Sequence, residues 1–316
     1  MSLVTHEITP SDTQGMQTIR SYLAAAPKLA FEPGAREAYD RIIGQAPVPA
    51  AVAFEHGVVG GVPGWWARPE RAKEGAAILY LHGGGYVIGS ASAYRNFVGQ
   101  IARKARAATF IADYALAPER PFPAADDDTR ALHAGLLSLG YERIAFCGDS
   151  AGGGLVLSYL ARHHGRSDRI VAVAAMSPWI DLTVSGESMA SRADQDPILS
   201  KETLGNAATL YLEGRSPGDP RVDVLGADLS GLPPVRVHVG DAEVLLDDSV
   251  RFARKAERDG LDAEVHVWQG MIHVFPSNFA MLQASAAALD DIGAFLARHL
   301  DSERAGTMNV PVERVQ

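Results

Sequence analysis

Short apolar runs alternate with longer stretches of helical character over most of this 316-residue chain. Continuous apolar runs are typical of strands that are buried on both faces of a parallel sheet. Their alternation with helices predicts an α/β domain with a mostly parallel central sheet flanked by helices. The predicted strands are 76–81, 108–114, 143–147, 169–176, 235–239 and 263–268. The predicted helices between and after them are 93–106, 124–139, 151–163, 243–259 and 279–300.

Three segments depart from this alternation. Residues 53–68 predict a strand hairpin that turns near Gly60 and Gly61. Residues 12–44 predict short helices, and the polar stretch 181–220 contains a helical piece near 200–213.

Segments of this kind can shape a pocket beyond the carboxyl ends of parallel strands. We therefore predict one domain over residues 1–316, with a helical cap formed by about 1–45 and about 183–215. The polar residues 301–316 are expected to form a frayed tail.

Charge, cysteine content and hydropathy bear on the expected partners and location of the protein. The formal net charge is −9 at pH 7, and Lys and Arg form no basic cluster, so a nucleic-acid partner is not expected. The single cysteine, Cys147, precludes an intrachain disulfide and fits a cytoplasmic location. The apolar runs are too short to span a bilayer as a helix and the N-terminus lacks the pattern of a signal peptide, so no membrane partner is expected either.

The strongest local motif is Gly148-Asp149-Ser150-Ala151-Gly152, between the predicted strand 143–147 and the predicted helix 151–163. A serine on a sharp strand-to-helix turn holds its hydroxyl above the sheet, and the flanking glycines let the strand and helix approach closely. The helix N-terminus also favours developing negative charge. We predict that Ser150 is a nucleophile; the alternative is a tight turn with an N-capping serine.

A second glycine motif, His82-Gly83-Gly84-Gly85-Tyr86, follows the predicted strand 76–81. Successive glycines leave backbone N–H groups unshielded. Hydrolases with an HGGG run use such groups, together with the N–H of the residue after the nucleophile, to bind the oxyanion of a tetrahedral intermediate. The predicted oxyanion donors are Gly83, Gly84 and Ala151. A flexible loop and a nucleotide-binding turn are the alternatives, but the spacing does not match G-x-G-x-x-G.

A nucleophilic serine needs a general base, and the base needs a partner that fixes its tautomer. In chains with this serine motif the order is Ser, then Asp or Glu, then His, each after a strand. Asp241 follows the predicted strand 235–239, and His273 follows the predicted strand 263–268. We predict Asp241 as the acid and His273 as the base, with Asp247 as the second candidate for the acid.

The remaining histidines are expected to be structural: His82 before the glycine loop, His133 within a helix, His163 and His164 side by side on a helix, and His238 and His266 inside strands. The sequence contains neither H-E-x-x-H nor C-x-x-C, so no metal site is predicted. Hydrolysis through a serine and a histidine requires no cofactor.

Taken together, six motifs resemble the hormone-sensitive-lipase-like family of esterases over residues 81–276. Besides the two glycine motifs they are 113–119 (DYALAPE), 121–125 (PFPAA), 177–182 (SPWIDL) and 270–275 (GMIHVF). The resemblance implies the α/β-hydrolase fold, a cap built from the N-terminal segment and the later insertion, and Ser150, Asp241 and His273 as the triad. It also implies cleavage of esters with short to medium acyl chains. Since many members of this family form dimers, a homodimer is a further expectation.

Two positions differ from the usual family pattern. Ala115 stands where the family often has Arg, and His273-Val274-Phe275 replaces the usual His-Gly-Phe, as in a branch similar to bacterial lactone and acetyl-ester hydrolases. Three functions therefore stay open: a carboxylesterase on small linear esters, a lactone or acetyl-group (ester or amide) hydrolase, and a non-catalytic small-molecule receptor. Plant gibberellin receptors resemble this family but lack the catalytic histidine, so the presence of His273 argues against a receptor.

Overall fold

The computed structural model describes residues 2–26, 30–162 and 169–301. The strands within these ranges are β1 (Ser2–His6), β2 (Val52–Val59), β3 (Val62–Pro69), β4 (Ala76–Leu81), β5 (Ala108–Ala112), β6 (Arg143–Asp149), β7 (Ile170–Met176), β8 (Val235–Gly240) and β9 (Ala263–Trp268). The helices are α1 (Pro10–Ala25), α2 (Arg36–Ile43), α3 (Ala91–Ala105), α4 (Ala124–Ser138), α5 (Ser150–Arg162), α6 (Ser188–Ser191), α7 (Lys201–Leu212), α8 (Leu246–Asp259) and α9 (Gln283–His299).

The described strands form one sheet in the order β1-β9-β8-β7-β6-β4-β5-β3-β2. Strands β4 to β9 pair in parallel, whereas β3 pairs antiparallel with both β2 and β5. The predicted parallel α/β sheet and the predicted hairpin are therefore confirmed. The hairpin turns at Gly60 and Gly61, whose φ angles of 59° and 85° lie in the left-handed region that glycine tolerates.

Both faces of the central strands are buried, which explains their continuous apolar sequences. Successive residues of a strand point to opposite faces. In β4, Leu79 and Leu81 accordingly join the core on one face, while Ile78 and Tyr80 join the core on the other. The second face is covered by α3 and α9. The result is a rigid sheet whose carboxyl edge presents the loops after β4, β6, β8 and β9.

The first strand was not expected, because residues 2–6 fall within the segment predicted to form part of the cap. They form β1 instead, which pairs in parallel with β9 at the edge of the main sheet. The His6 ring stacks on Trp268 with the ring centroids 3.8 Å apart, and its Nε2 lies 2.9 Å from Nδ1 of His266. This pairing depends on side chains more than 250 positions away in the chain, so no local pattern could reveal it.

Helix α1 is hydrogen-bonded to two later parts of the chain, the start of α9 and the segment between α6 and α7. The Asp12 carboxylate accepts the backbone N–H groups of Gln283 and Ala284, where α9 begins. Arg20 donates to the carbonyl oxygen of Gln195 in the segment between α6 and α7, over 2.7 Å. The N-terminal helix and the later insertion are thus in direct contact, as a shared cap requires.

The insertion that contains α6 and α7 contacts loops at the carboxyl edge of the sheet. Tyr211 of α7 stacks on Tyr86, at the end of the glycine loop after β4, with ring centroids 3.8 Å apart. Asp196 bonds to the backbone of Val244, in the loop after β8. The cap itself stays a prediction. The predicted tail falls almost wholly on residues 302–316, which lie outside the described residues, as do His163 and His164.

Candidate active site

Ser150 stands at a tight turn between β6 and α5. Its φ of 52° is in the left-handed region, which a residue with a side chain occupies only under local strain. The flanking glycines make the turn feasible: a Cβ at Gly152 would lie 2.0 Å from the carbonyl oxygen of Leu81. A Cβ at Gly148 would lie 2.7 Å from backbone atoms of Gly152. The strand-turn-helix context that the sequence predicts for Ser150 is therefore present.

His273 lies on the loop after β9 and faces Ser150. Its Nε2 is 2.9 Å from the Ser150 Oγ, a distance at which the hydroxyl donates to an unprotonated ring nitrogen. The two residues are only 5% and 8% exposed. The structure thus brings together the predicted nucleophile and the predicted base across 123 positions of sequence.

The carboxylate at His273 belongs to Glu243 and not to Asp241, so the sequence-based choice of Asp241 is wrong. The Glu243 Oε2 lies 2.6 Å from His273 Nδ1. Asp241 instead accepts the backbone N–H of Gly270, over 2.6 Å, and so shapes the loop that leads to His273. The reason is geometric: Asp241 immediately follows β8, and the chain must turn for two more residues before a side chain reaches under the imidazole.

Two further groups hold the Glu243 carboxylate. Its Oε1 accepts the Ser177 hydroxyl at 2.7 Å and the Gly240 backbone N–H at 2.8 Å. Glu243 is completely buried, so these bonds replace the water that a carboxylate otherwise needs. When the Ser150 hydroxyl donates to Nε2, the proton of the neutral ring sits on Nδ1 and is donated to Glu243.

Negative charge surrounds His273. Burial by itself lowers the pKa of the imidazole, but Glu243, Asp196 and Asp149 outweigh it and raise the pKa above its ordinary value. These carboxylates stabilise the charged imidazolium that forms when the ring accepts a proton.

The first backbone N–H of the glycine loop is already occupied. Gly83 donates to the Asp149 Oδ1 at 3.0 Å, and the same carboxylate accepts the hydroxyls of Tyr80 and Tyr94 at 2.7 and 3.1 Å. Burial raises the pKa of Asp149 to about 6, although these three donors oppose the shift. The prediction of Gly83 as an oxyanion donor is therefore wrong, since its N–H holds the loop to the serine turn.

The next two glycines are different. Gly84 and Gly85 have φ angles of 115° and 61°, and within the described residues their N–H groups meet no hydrogen-bond acceptor. Ala151, in the first turn of α5, has no partner for its N–H inside the helix. The loop packs on the serine turn, because a Cβ at Gly83 would lie 3.1 Å from the Ser150 Cβ. Three unpaired donors are therefore available near the serine: two of them were predicted, and Gly85 was missed.

Comparison with known proteins decides the family. The family model described as the alpha/beta hydrolase fold matches residues 78–277. The chain belongs to the α/β-hydrolase family. The crystal structure of an esterase from the bacterial hormone-sensitive lipase family superposes with a TM-score of 0.85 at 40% identity, covering 93% of this chain and 99% of the other. The predicted resemblance to that branch of esterases is confirmed.

Curated relatives of this α/β hydrolase are esterases. An acetyl-hydrolase of Streptomyces hygroscopicus is 35% identical over 267 residues, which is 83% of this chain and 88% of the relative. An esterase of Acinetobacter venetianus is 36% identical over 222 residues, which is 69% of this chain and 73% of the relative. The protein is a carboxylesterase-type hydrolase, and the receptor alternative falls away.

The other predicted candidates of the hydrolase lie away from His273. Asp247 accepts the backbone N–H of Ser188 at 3.1 Å and so supports α6. The Nδ1 of His82 is 2.7 Å from the Gly83 carbonyl oxygen, and its ring lies between Tyr94 and Tyr114. Burial lowers the pKa of His82 to about 4, so the ring is neutral and donates to the glycine loop, in keeping with its predicted structural role.

One group of possible metal ligands occurs among the described residues of the hydrolase: His238, His266 and Asp291, with ligand atoms within 4.8 Å of one another. Arg236 already occupies it, because its Nη1 lies 2.6 Å from Asp291 and 3.2 Å from the His266 Nε2. The indole of Trp268 donates to His238 Nδ1, so the proton of the neutral ring sits on Nε2 and points at Asp291. A metal would have to displace both the guanidinium and that proton, so we assign the group as an ion-pair network.

None of the helices in the described ranges combines the length and the apolar character that crossing a bilayer requires.

Proposed function

We propose that this hydrolase cleaves short- to medium-chain acyl esters, with Ser150 as nucleophile, His273 as base and Glu243 as the carboxylate behind it. The observation that carries the proposal is the continuous chain of hydrogen bonds from Ser150 to His273 at 2.9 Å and from His273 to Glu243 at 2.6 Å. This is the arrangement that activates a serine hydroxyl at neutral pH.

In the proposed reaction, the Ser150 oxygen attacks the ester carbonyl while His273 Nε2 takes its proton. Glu243 keeps the ring oriented and stabilises the imidazolium. His273 then gives the proton to the leaving alcohol, which leaves an acyl group on Ser150. In the second half a water molecule, deprotonated by His273, attacks the acyl carbonyl and releases the acid.

The proposed oxyanion donors are the N–H groups of Gly84, Gly85 and Ala151. Support comes from their lack of acceptors and from the packing of the glycine loop on the serine turn. Donors of this kind act on charge that develops in the transition state and are worth roughly 3–4 kcal/mol each. Asp149 contributes indirectly, because it fixes Gly83 and with it the position of the next two glycines.

Limited access to the serine supports small substrates. Ser150 is 5% exposed, and the insertion covers the nearby loop through the stack of Tyr211 on Tyr86. The backbone N–H of Trp179, whose side chain is fully buried, donates to the carbonyl oxygen of Ser150. These buried rings beside the serine are consistent with the proposal of short acyl chains.

The test is an assay of the wild type and Ser150→Ala on p-nitrophenyl esters from acetate to laurate. We expect turnover that is highest on the short esters and falls along the series. The variant should lose kcat by about 10³-fold or more while keeping its fold by circular dichroism. Retained activity in Ser150→Ala, or an inert wild type across the series, would refute the proposal.

Hydrolysis of acetyl groups, as esters or amides, is the second candidate function. It is favoured by the similarity to the Streptomyces acetyl-hydrolase. Acetylated alcohols and acetylated amines of matched structure, tested with the same serine variant, separate it from general ester cleavage. Lactones form a third panel, because the same three side chains would open them.

The cytoplasmic location and the homodimer stay predictions. Light scattering of the purified protein measures the oligomeric state directly.

A further inference from the structure

Asp196 is buried although it lies on an inserted loop, between α6 and α7. The residue is only 9% exposed. The Oδ1 atom accepts the backbone N–H groups of Ile198 and Leu199 at 2.8 and 2.9 Å, which shapes the turn before α7. The Oδ2 atom accepts the N–H of Val244 at 2.9 Å and so joins the insertion to the loop after β8.

The hydrogen bond between Asp196 and Val244 lies one residue away from Glu243, the carboxylate at His273. Val244 directly follows Glu243, whose carboxylate lies 2.6 Å from His273. The Asp196 bond therefore fixes the peptide on one side of Glu243, while Gly240 and Ser177 hold its carboxylate on the other. Glu243 has no solvent contact, so water does not take its place at His273 when the carboxylate shifts. A small displacement of this loop therefore weakens the hydrogen bond between Glu243 and His273.

We propose that Asp196 is a positioning residue, which holds the Glu243 loop beneath His273 and adds a second negative charge behind the imidazole. The inference rests on the proposed function, in which His273 is the base. It assigns to the insertion a part in the chemistry besides its contact with the glycine loop.

Three carboxylates raise the pKa of His273 through their charge, and Asp196 is the one supplied by the insertion. Glu243 approaches from the loop after β8, and Asp149 from the end of β6 beside Ser150. Asp196 and His273 influence each other: the carboxylate helps to raise the pKa of the imidazole, while burial raises the pKa of Asp196 and the charge of His273 opposes that rise. Asp196 thus affects His273 in two ways: its bond to Val244 holds the Glu243 loop in place, and its charge raises the pKa of the imidazole. Both effects favour His273 as a base.

The loop that carries Asp196 is itself anchored. The carbonyl oxygen of Gln195 accepts a hydrogen bond from Arg20 of α1 at 2.7 Å. The turn after Asp196 continues into α7, which starts with a capping box between Ser200 and Thr203. A loop fixed at both ends can hold a carboxylate in place behind the base, as positioning requires.

The experiment compares the pH dependence of kcat/KM for the wild type, Asp196→Asn and Asp196→Ser on one short p-nitrophenyl ester. Both variants remove the charge, and Ser retains an oxygen that can accept the N–H groups of the turn if Asn fails to fold. The acid limb of the profile reports the pKa of His273 in the free enzyme, because only the neutral ring can act as base. Removing a negative charge that raises this pKa lowers it, so the midpoint should move to lower pH.

We expect the midpoint to fall by about 0.5–1 pH unit. The plateau of kcat/KM should fall by about 3–10-fold, since the imidazolium formed during the reaction loses the same stabilisation. The matched control is Asp12→Asn. Asp12 is also a buried carboxylate that accepts two backbone N–H groups from a distant element, but it serves the start of α9 and not the site. Its variant should keep the wild-type midpoint.

A folded Asp196 variant with the wild-type midpoint overturns the inference, even if its plateau is lower, because a purely structural aspartate would give that result. A midpoint moved to higher pH overturns it as well. Failure of the proposed function is a separate result: in that case Ser150→Ala keeps its activity. If Ser150→Ala is inactive and the Asp196 profiles do not move, only the role of Asp196 is lost.

Discussion

His273 and His238 are both buried, and each bonds to a carboxylate, with 2.6 Å between His273 and Glu243 and 3.0 Å between His238 and Asp291. They differ in the partner of the second ring nitrogen. His273 turns it toward the hydroxyl of Ser150, which can donate a proton and react. His238 receives the indole N–H of Trp268 there, a group that only donates and has no chemistry to offer.

The charges around the two rings differ as well. Burial lowers the pKa of His238 to about 4; Asp291 opposes this, but His266 and Arg236 add to it. Around His273 the neighbouring charges are carboxylates, and the pKa is raised. A buried histidine beside a carboxylate is therefore not by itself a base. The remaining partners decide whether the ring can take up a proton near neutral pH.

The largest expected contrast in kcat is between the asparagine variants of the two histidines. His273→Asn should lower kcat by about 10³-fold or more, because the proton of Ser150 then has no acceptor. His238→Asn should keep kcat within about 3-fold and lower the free energy of unfolding by about 1–3 kcal/mol through its broken buried bonds. Steady-state kinetics and urea unfolding measure the two effects. A comparable loss of kcat in both variants would remove the distinction between the two rings.

The two acidic residues after β8 give the next largest contrast. Glu243→Gln should lower kcat by about 10²–10⁴-fold, since an amide cannot both hold the Nδ1 proton and stabilise an imidazolium. Asp241→Asn should stay within about 3-fold, because an amide oxygen can still accept the Gly270 N–H. The measurement is kcat on a saturating short ester. The opposite order of effects would restore Asp241 as the triad acid.

The smallest effect is a difference in the pH dependence of stability. The pKa of His238 is about 4 in the folded protein, against 6.5 as its ordinary value. Between these values the unfolded chain binds a proton that the folded protein does not, so the stability from this residue is lost as the pH falls through that window. At pH 5 the loss amounts to about 2 kcal/mol.

Urea unfolding of the wild type and His238→Asn at pH 7 and pH 5 isolates this contribution, because groups common to both proteins cancel. The variant should lose about 1–2 kcal/mol less between the two pH values than the wild type does. Equal losses would show that His238 is already protonated in the folded protein at pH 5.

Ser150 and His273, the proposed nucleophile and base, were predictable because their signals are local. Ser150 needs glycines at fixed positions within one turn, and His273 follows a recognisable strand within a recognisable motif. The acid carries a weaker signal, because two acidic residues follow β8 within four positions. Glu243 is flanked by Ala242 and Val244, and a carboxylate inside an apolar run indicates burial with a partner. That signal favours Glu243 over Asp241.

The sequence by itself determined the order of most strands and helices, the hairpin, the serine turn and the place of His273 after its strand, since each depends on hydrophobic periodicity or on backbone geometry within a few residues. Tertiary structure alone decided which carboxylate reaches His273, which glycine N–H stays unpaired, and where residues 2–6 pair. Those outcomes depend on distances between segments that are far apart in the chain. A difference of two residues in a loop, or one competing acceptor such as Asp149, is enough to change which group is left to act.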